Sequence, residues 1–150
     1  MDSAGAVAEA DEANNVAASP ASIPGQAAFV NLAGSFPRPV PTVVRTGRGS
    51  SVVLRVTNAG NVAARGPLTV TLSAATDPAG TSGLVPLRTL TREVKLRPGG
   101  KTAMTLRFLR PEELLPGSYY FSVALDAANA FLERDESDNL LVSELPFQVE

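Results

Sequence analysis

Four stretches of this chain alternate apolar and polar residues with a period of two, which constrains them to be β-strands half exposed to water. In SSVVLRVTN, Val52, Leu54 and Val56 face one way, and Val53, Arg55 and Thr57 the other. PLTVTLSAAT places Leu68, Val70, Leu72 and Ala74 on one face against Thr69, Thr71 and Ser73. TAMTLRFL puts Met104, Leu106 and Phe108 opposite Thr105 and Arg107, and SYYFSVALD aligns Tyr119, Phe121, Val123 and Leu125. Weaker strands read from AAFVNLAG, from VPTVVRTG with its edge-type prolines, from LRTLTREVKL, and from the closing LLVSELPFQVE. NAGN, residues 58–61, reads as a turn because Gly and Asn tolerate positive φ. DPAGTSG is a loop, RPGGK a turn, and RPEELLPG a crossing loop with room for one helical turn. Short alternating strands with turn signals between them, and no convincing helix, predict an all-β antiparallel sandwich of about seven strands. Its core should hold the inward residues just named other than Ala74, together with Leu96, enough apolar side chains to support a domain without disulfides.

The 150 residues suffice for one such domain. An acidic phrase nevertheless occurs twice. VAEADEANNV, residues 7–16, aligns without gaps to FLERDESDNL, residues 131–140, matching Glu9 to Glu133, Asp11 to Asp135, Glu12 to Glu136 and Asn15 to Asn139. The expected organisation is therefore the tail of one repeat plus a linker over residues 1–26, then a whole repeat over 27–150. A strand at 7–18 without its own domain could pair with an exposed edge of a neighbour and cause weak self-association of an otherwise monomeric chain.

Several chemistries are excluded by what is missing. With no Cys and no His, thiol catalysis, imidazole triads, disulfides and the usual zinc sites cannot be built. Only Lys95 and Lys101 offer amines, both on strand-like exposed text. Glu112 and Glu113 are adjacent in a loop, whereas glycosidase carboxyls face each other across a cleft. No phosphate-binding glycine loop is present, and a net charge of −2 argues against nucleic acid as a partner. No apolar run is long enough to insert in a membrane, and no secretory signal is visible.

VTNAGNVAARGPLTVTL at 56–72, LRPGGKTAMTLRF at 96–108 and LPGSYYFSVALDAANAFLERDESDN at 115–139 follow one another in an order and spacing that resemble the CARDB domain, a cell-adhesion-related domain of bacteria. The shared features are an Asn-x-Gly turn between strands, an apolar–Pro–Gly turn, and a Pro-Gly-x-Tyr strand followed by an acidic Asn phrase. SDN at 137–139 departs from the double Asn commoner there; the first copy keeps Asn14 and Asn15. The resemblance covers roughly 28–149. It implies an immunoglobulin-like sandwich, secreted or surface-exposed, often in tandem, with a spacer or adhesive role and no catalytic activity. The partners implied are neighbouring repeats or other surface proteins. An alternative role is a carbohydrate- or ligand-binding accessory module of a larger extracellular enzyme, although the chain has no Trp and only Tyr120 as an obvious outward ring.

Two groups of residues are candidate sites. Asp126, Asn129, Glu133, Asp135, Glu136 and Asp138, with Asn139, crowd hard oxygen donors between the last strands. They could hold Ca²⁺, which takes six to eight oxygens. The same residues could instead cap backbone amides in a tight hairpin. The spacing is not that of an EF-hand. Cations, meanwhile, dominate from Arg38 to Arg110, where only Asp77 and Glu93 oppose them. Arg45, Arg55 and Arg107 on outward positions could form a basic strip that meets the acidic hairpin of the next domain, or could simply keep β surfaces soluble.

Overall fold

The computed structural model describes residues 25–150. The expected tail at 1–26, save Gly25 and Gln26, and the pairing strand at 7–18 lie outside the described residues.

Among the described residues, nine strands form two sheets. β1 (Leu32–Ser35), β3 (Ser50–Asn58) and β6 (Lys101–Phe108) make a three-stranded antiparallel sheet in the order β1-β3-β6. The second sheet runs β2 (Val43–Val44), β9 (Phe147–Val149), β7 (Gly117–Ala124), β4 (Ala64–Ala75), β5 (Val85–Leu96), with β8 (Leu140–Val142) also on β7. All pairings among these strands are antiparallel except β2 with β9.

The period-two stretches become β3, β4, β6 and β7, because one face of each can be buried only if the backbone is extended. Every inward residue expected in the core is buried except Tyr119, which is half-buried beside Phe147. Phe108 of the smaller sheet meets Phe121 of the larger edge-on at 6.0 Å, and Phe121 stacks on Phe147 at 4.0 Å. The edge-on pair of Phe108 and Phe121 joins the sheets more firmly than buried area alone provides.

Nine strands stand where about seven were expected, and the last one explains much of the difference. LLVSELPFQVE is broken into β8 and β9. From Val142, opposite Ser122, to Phe147, opposite Tyr119, the chain advances five positions against three on β7. Ser143 Oγ accepts the Phe121 amide at 3.0 Å and donates to the Leu145 carbonyl at 2.9 Å, while Pro146 has no N–H to give the ladder. The first strand also starts later than expected, at Leu32 instead of Ala27, because residues 27–31 bond to two loops.

The turn at 58–61 is present, for a different reason from the one expected. None of its residues has positive φ. Asn58, wholly buried, donates through Nδ2 to the Val62 carbonyl at 2.8 Å and the Leu96 carbonyl at 3.0 Å, and its Oδ1 accepts the Gly60 amide at 2.9 Å. Gly60 is required by close approach, since a Cβ there would lie 2.4 Å from the Phe29 carbonyl oxygen.

The two ends of the described chain lie at opposite poles. β1 pairs Leu32 with Asn58, at the same pole as the turns 58–61 and 97–100 and the loop 125–139. β9 ends at Val149 opposite Gly117, the start of β7, so Glu150 sits one strand length away, roughly 25 Å for eight extended residues.

Candidate functional site

The acidic loop begins where β7 ends and must return to β8 over 125–139. Asp126 and Asn129 take left-handed conformations, φ 41° and 48°, which Asp and Asn tolerate better than most side chains. Asp126 is buried. Its Oδ1 accepts the Ala130 amide at 2.9 Å and its Oδ2 the Phe131 amide at 2.8 Å, so it staples the loop from inside. Asn129 is exposed, and its amide closes the turn on the Asp126 carbonyl at 2.7 Å.

The rest of the loop grips the segment leading into β1. The Arg134 amide donates to the Val30 carbonyl at 3.0 Å, in a parallel bridge between Val30 and Glu133. The Arg134 guanidinium lies 4.8 Å from the centre of the Phe29 ring. Glu133 Oε2 accepts the Leu32 amide. Asn31 links two acidic residues, its Nδ2 donating to Asp138 Oδ2 at 2.8 Å and its Oδ1 accepting the Asp135 amide at 3.0 Å. From the other side the turn at 58–61 holds the same segment: the Phe29 amide donates to Asn61 Oδ1 at 2.8 Å, and Asn61 Nδ2 donates to the Ala27 carbonyl at 2.9 Å.

The remaining carboxylates are capped within the loop. Asp135 Oδ1 accepts from Ser137 Oγ at 2.5 Å and from the Ser137 amide at 2.9 Å; the hydroxyl, then the amide, lower its pKa. Glu136 takes the Glu133 amide on Oε1 at 3.1 Å and Asn139 Nδ2 on Oε2 at 2.8 Å. Burial, followed in lesser measure by the charges of Glu136 and Asp126, raises the pKa of Glu133, against the opposing hydrogen bond of the Leu32 amide. The loop carries all six expected ligands and gives four of them, Asp126, Glu133, Asp135 and Glu136, backbone amides as partners. Among the described residues, no three Asp or Glu side chains converge as a metal-ligand group. Three buried oxygens are left without a partner: Glu133 Oε1, Asp138 Oδ1 and Asn139 Oδ1.

The three arginines do not form one strip. Arg55 and Arg107 stand on the outer face of the three-stranded sheet, opposite Ala103 and Ser51 respectively, with Lys101 on the same face opposite Thr57. Arg45 follows β2 on the other sheet and pairs with Glu150 at 2.9 Å. A denser basic group escaped the sequence reading. Arg65 and Lys95 are directly opposite in the β4–β5 register, and with Arg97 and Lys101 they line one shallow cavity. The signal was the spacing of cations on either side of RPGGK, but only the strand register brings Arg65 to them.

All eight aromatic rings are buried or half-buried, so no exposed row of rings is available for stacking on sugars. No helix among the described residues is long and apolar enough to cross a membrane.

A family model described as CARDB matches residues 38–143. No curated protein matches the chain. Among solved structures, the CARDB domain of the PF1109 protein from Pyrococcus furiosus, crystallised in complex with di-metal ions, is 18% identical, with a TM-score of 0.58 over 83% of this chain and 97% of that one. A domain spanning 272–376 of a putative cell surface protein from Methanosarcina acetivorans is also 18% identical, with a TM-score of 0.54 over 83% of this chain and 94% of that one. At this identity the likeness shows the shared sandwich fold.

Proposed function

The chain belongs to the CARDB family, and from that premise we propose that it is a non-catalytic spacer and adhesion module, one repeat of a tandem array in an exported or surface protein. The observation that carries this reading is that the segment entering β1 and the end of β9 lie at opposite poles of the described domain. Repeats joined at opposite poles extend a rod, whereas ends on one side would fold the array back on itself. The incoming segment is held at Phe29, Asn31 and Leu32 by side chains from two loops, which fixes the direction in which a preceding repeat would enter. Apolar side chains stand exposed at both poles, Leu132 at 93% beside the incoming segment and Leu109 and Leu115 at 64% and 65% at the other, where a neighbouring domain could cover them.

The partners in this reading are adjacent repeats or other surface proteins. The cations Arg65, Lys95, Arg97 and Lys101 offer an acidic partner surface a place to bind, and Arg55 and Arg107 offer a second on the outer face of the three-stranded sheet. Each exposed pair contributes ~0–1 kcal/mol, enough collectively to bias orientation and weak enough to be screened by salt. In keeping with the relative crystallised with di-metal ions, Ca²⁺ is proposed as an accessory ion of the acidic loop.

Small-angle scattering from two copies joined head to tail through the 1–26 segment tests the rod. The expected maximum dimension approaches twice that of a single copy, with a narrow distribution. A pair that collapses to little more than the length of one copy would refute the spacer reading.

A further inference from the structure

The three unpartnered oxygens in the acidic loop are all acceptors, and each is shielded from solvent. Native proteins leave few such atoms, because each forfeits its hydration without a replacement, and the loss is greater where the group is charged. Glu133 and Asn139 are joined through one carboxylate, Glu136, which takes the amide of the first and the side-chain Nδ2 of the second. Glu133 and Asp138 each use one carboxylate oxygen to hold the incoming segment, on the Leu32 amide and Asn31 Nδ2, and leave the other oxygen bare. Glu133 is 92% buried by the complement of its 8% exposure, within a loop that carries Asp126, Asp135 and Glu136 as well. Nothing but a positive charge or a proton donor satisfies such a set.

We propose that Glu133 Oε1, Asp138 Oδ1 and Asn139 Oδ1 are the protein ligands of a hard divalent cation such as Ca²⁺, with water completing its shell. Two carboxylates and an amide oxygen suit Ca²⁺, which accepts mixed oxygen donors in flexible geometry. This ligand set differs from the one the composition of the loop points to. Asp126 has both oxygens on backbone amides, and Asp135 is capped by Ser137, so neither is free to turn toward the ion. The site deepens the junction reading and rests on it for its consequence: an ion there fixes the two carboxylates that hold residues 31 and 32, and so stiffens the joint between repeats.

Calorimetric titration with CaCl₂, and thermal unfolding with CaCl₂ against EDTA at matched ionic strength, test the proposal. One ion per chain and a rise of several degrees in Tm at saturating calcium are expected, since a ligand of the native state alone stabilises it. Glu133→Gln keeps an oxygen for the Leu32 amide but places an N–H donor where Oε1 stood. It should bind calcium about tenfold more weakly or not at all, and Asp138→Asn should do the same. Calcium-dependent shifts of backbone amides in NMR spectra of the wild-type protein, centred on residues 31–32 and 133–139, locate the ion even if a variant does not fold. Absence of heat and of any Tm shift at millimolar calcium would overturn the proposal. So would calcium binding that survives in both variants, or amide shifts confined to another region. The readings fail separately: an extended tandem without calcium binding leaves the spacer standing, and calcium binding in a collapsed tandem leaves the site standing.

Discussion

Replacing Asn58 by Ala removes three hydrogen bonds that join the β3–β4 turn to the end of β5. The Leu96 carbonyl loses its bond to Nδ2 in a buried position, at about 1–3 kcal/mol. The buried Gly60 amide loses its acceptor at a similar cost of about 1–3 kcal/mol, and the Val62 carbonyl, only partly buried, where water can in part replace the side chain, at about 1 kcal/mol. The expected total is about 3–7 kcal/mol, a large part of the ~5–15 kcal/mol stability of an ordinary domain. Urea unfolding should show the loss as a lower midpoint with an unchanged m-value. Asn58→Asp is the sharper variant, because it keeps the acceptor for Gly60 and turns a second oxygen toward two carbonyls. At neutral pH it should lose at least as much as Ala. That loss should shrink in acid, since protonation restores a donor and the folded-state pKa of the new carboxyl is raised by its burial and by the carbonyls it faces. A loss below about 1 kcal/mol for Ala, or wild-type stability for Asp, would refute the reasoning.

Gly60→Ala should destabilise severely, by about 2 kcal/mol or more, because the colliding atom is the backbone carbonyl of Phe29 and cannot swing away; thermal unfolding reads this directly. Asp126→Ala leaves the amides of Ala130 and Phe131 without their acceptors, and should cost about 2–4 kcal/mol while freeing those two amides to hydrogen exchange. Asp77 accepts the Ser82 amide at 2.7 Å and the Thr81 amide at 3.0 Å, which lower its pKa. Its contribution to stability is therefore fully present above the ordinary Asp pKa and is lost as pH falls through the depressed folded value. The acid limb of the stability–pH curve should accordingly flatten in Asp77→Asn.

Legibility in the sequence varied with the kind of interaction. β3 coincides with SSVVLRVTN from first residue to last, since its alternation is uninterrupted and each inward side chain has only one face to fill. The final strand was harder, because LLVSELPFQVE keeps an apolar pattern across a break made by one serine hydroxyl and one proline. The acidic phrase was conspicuous as a feature, and composition allowed two roles for it. Which carboxylate caps an amide and which is left bare depends on Asn31 and Leu32, about a hundred residues away, and no local pattern carries that information.

What the sequence determined by itself was therefore the sandwich, the inward faces and the family, because period-two burial and turn chemistry act between near neighbours. Tertiary structure alone decided that the acidic loop clasps the incoming segment, that Arg45 leaves the basic face for Glu150, and that Arg65 joins the cations around 97–101. Each of those depends on strand register and on which pole a loop occupies, and both are settled only when two sheets pack together and every buried polar group must find a partner or go without.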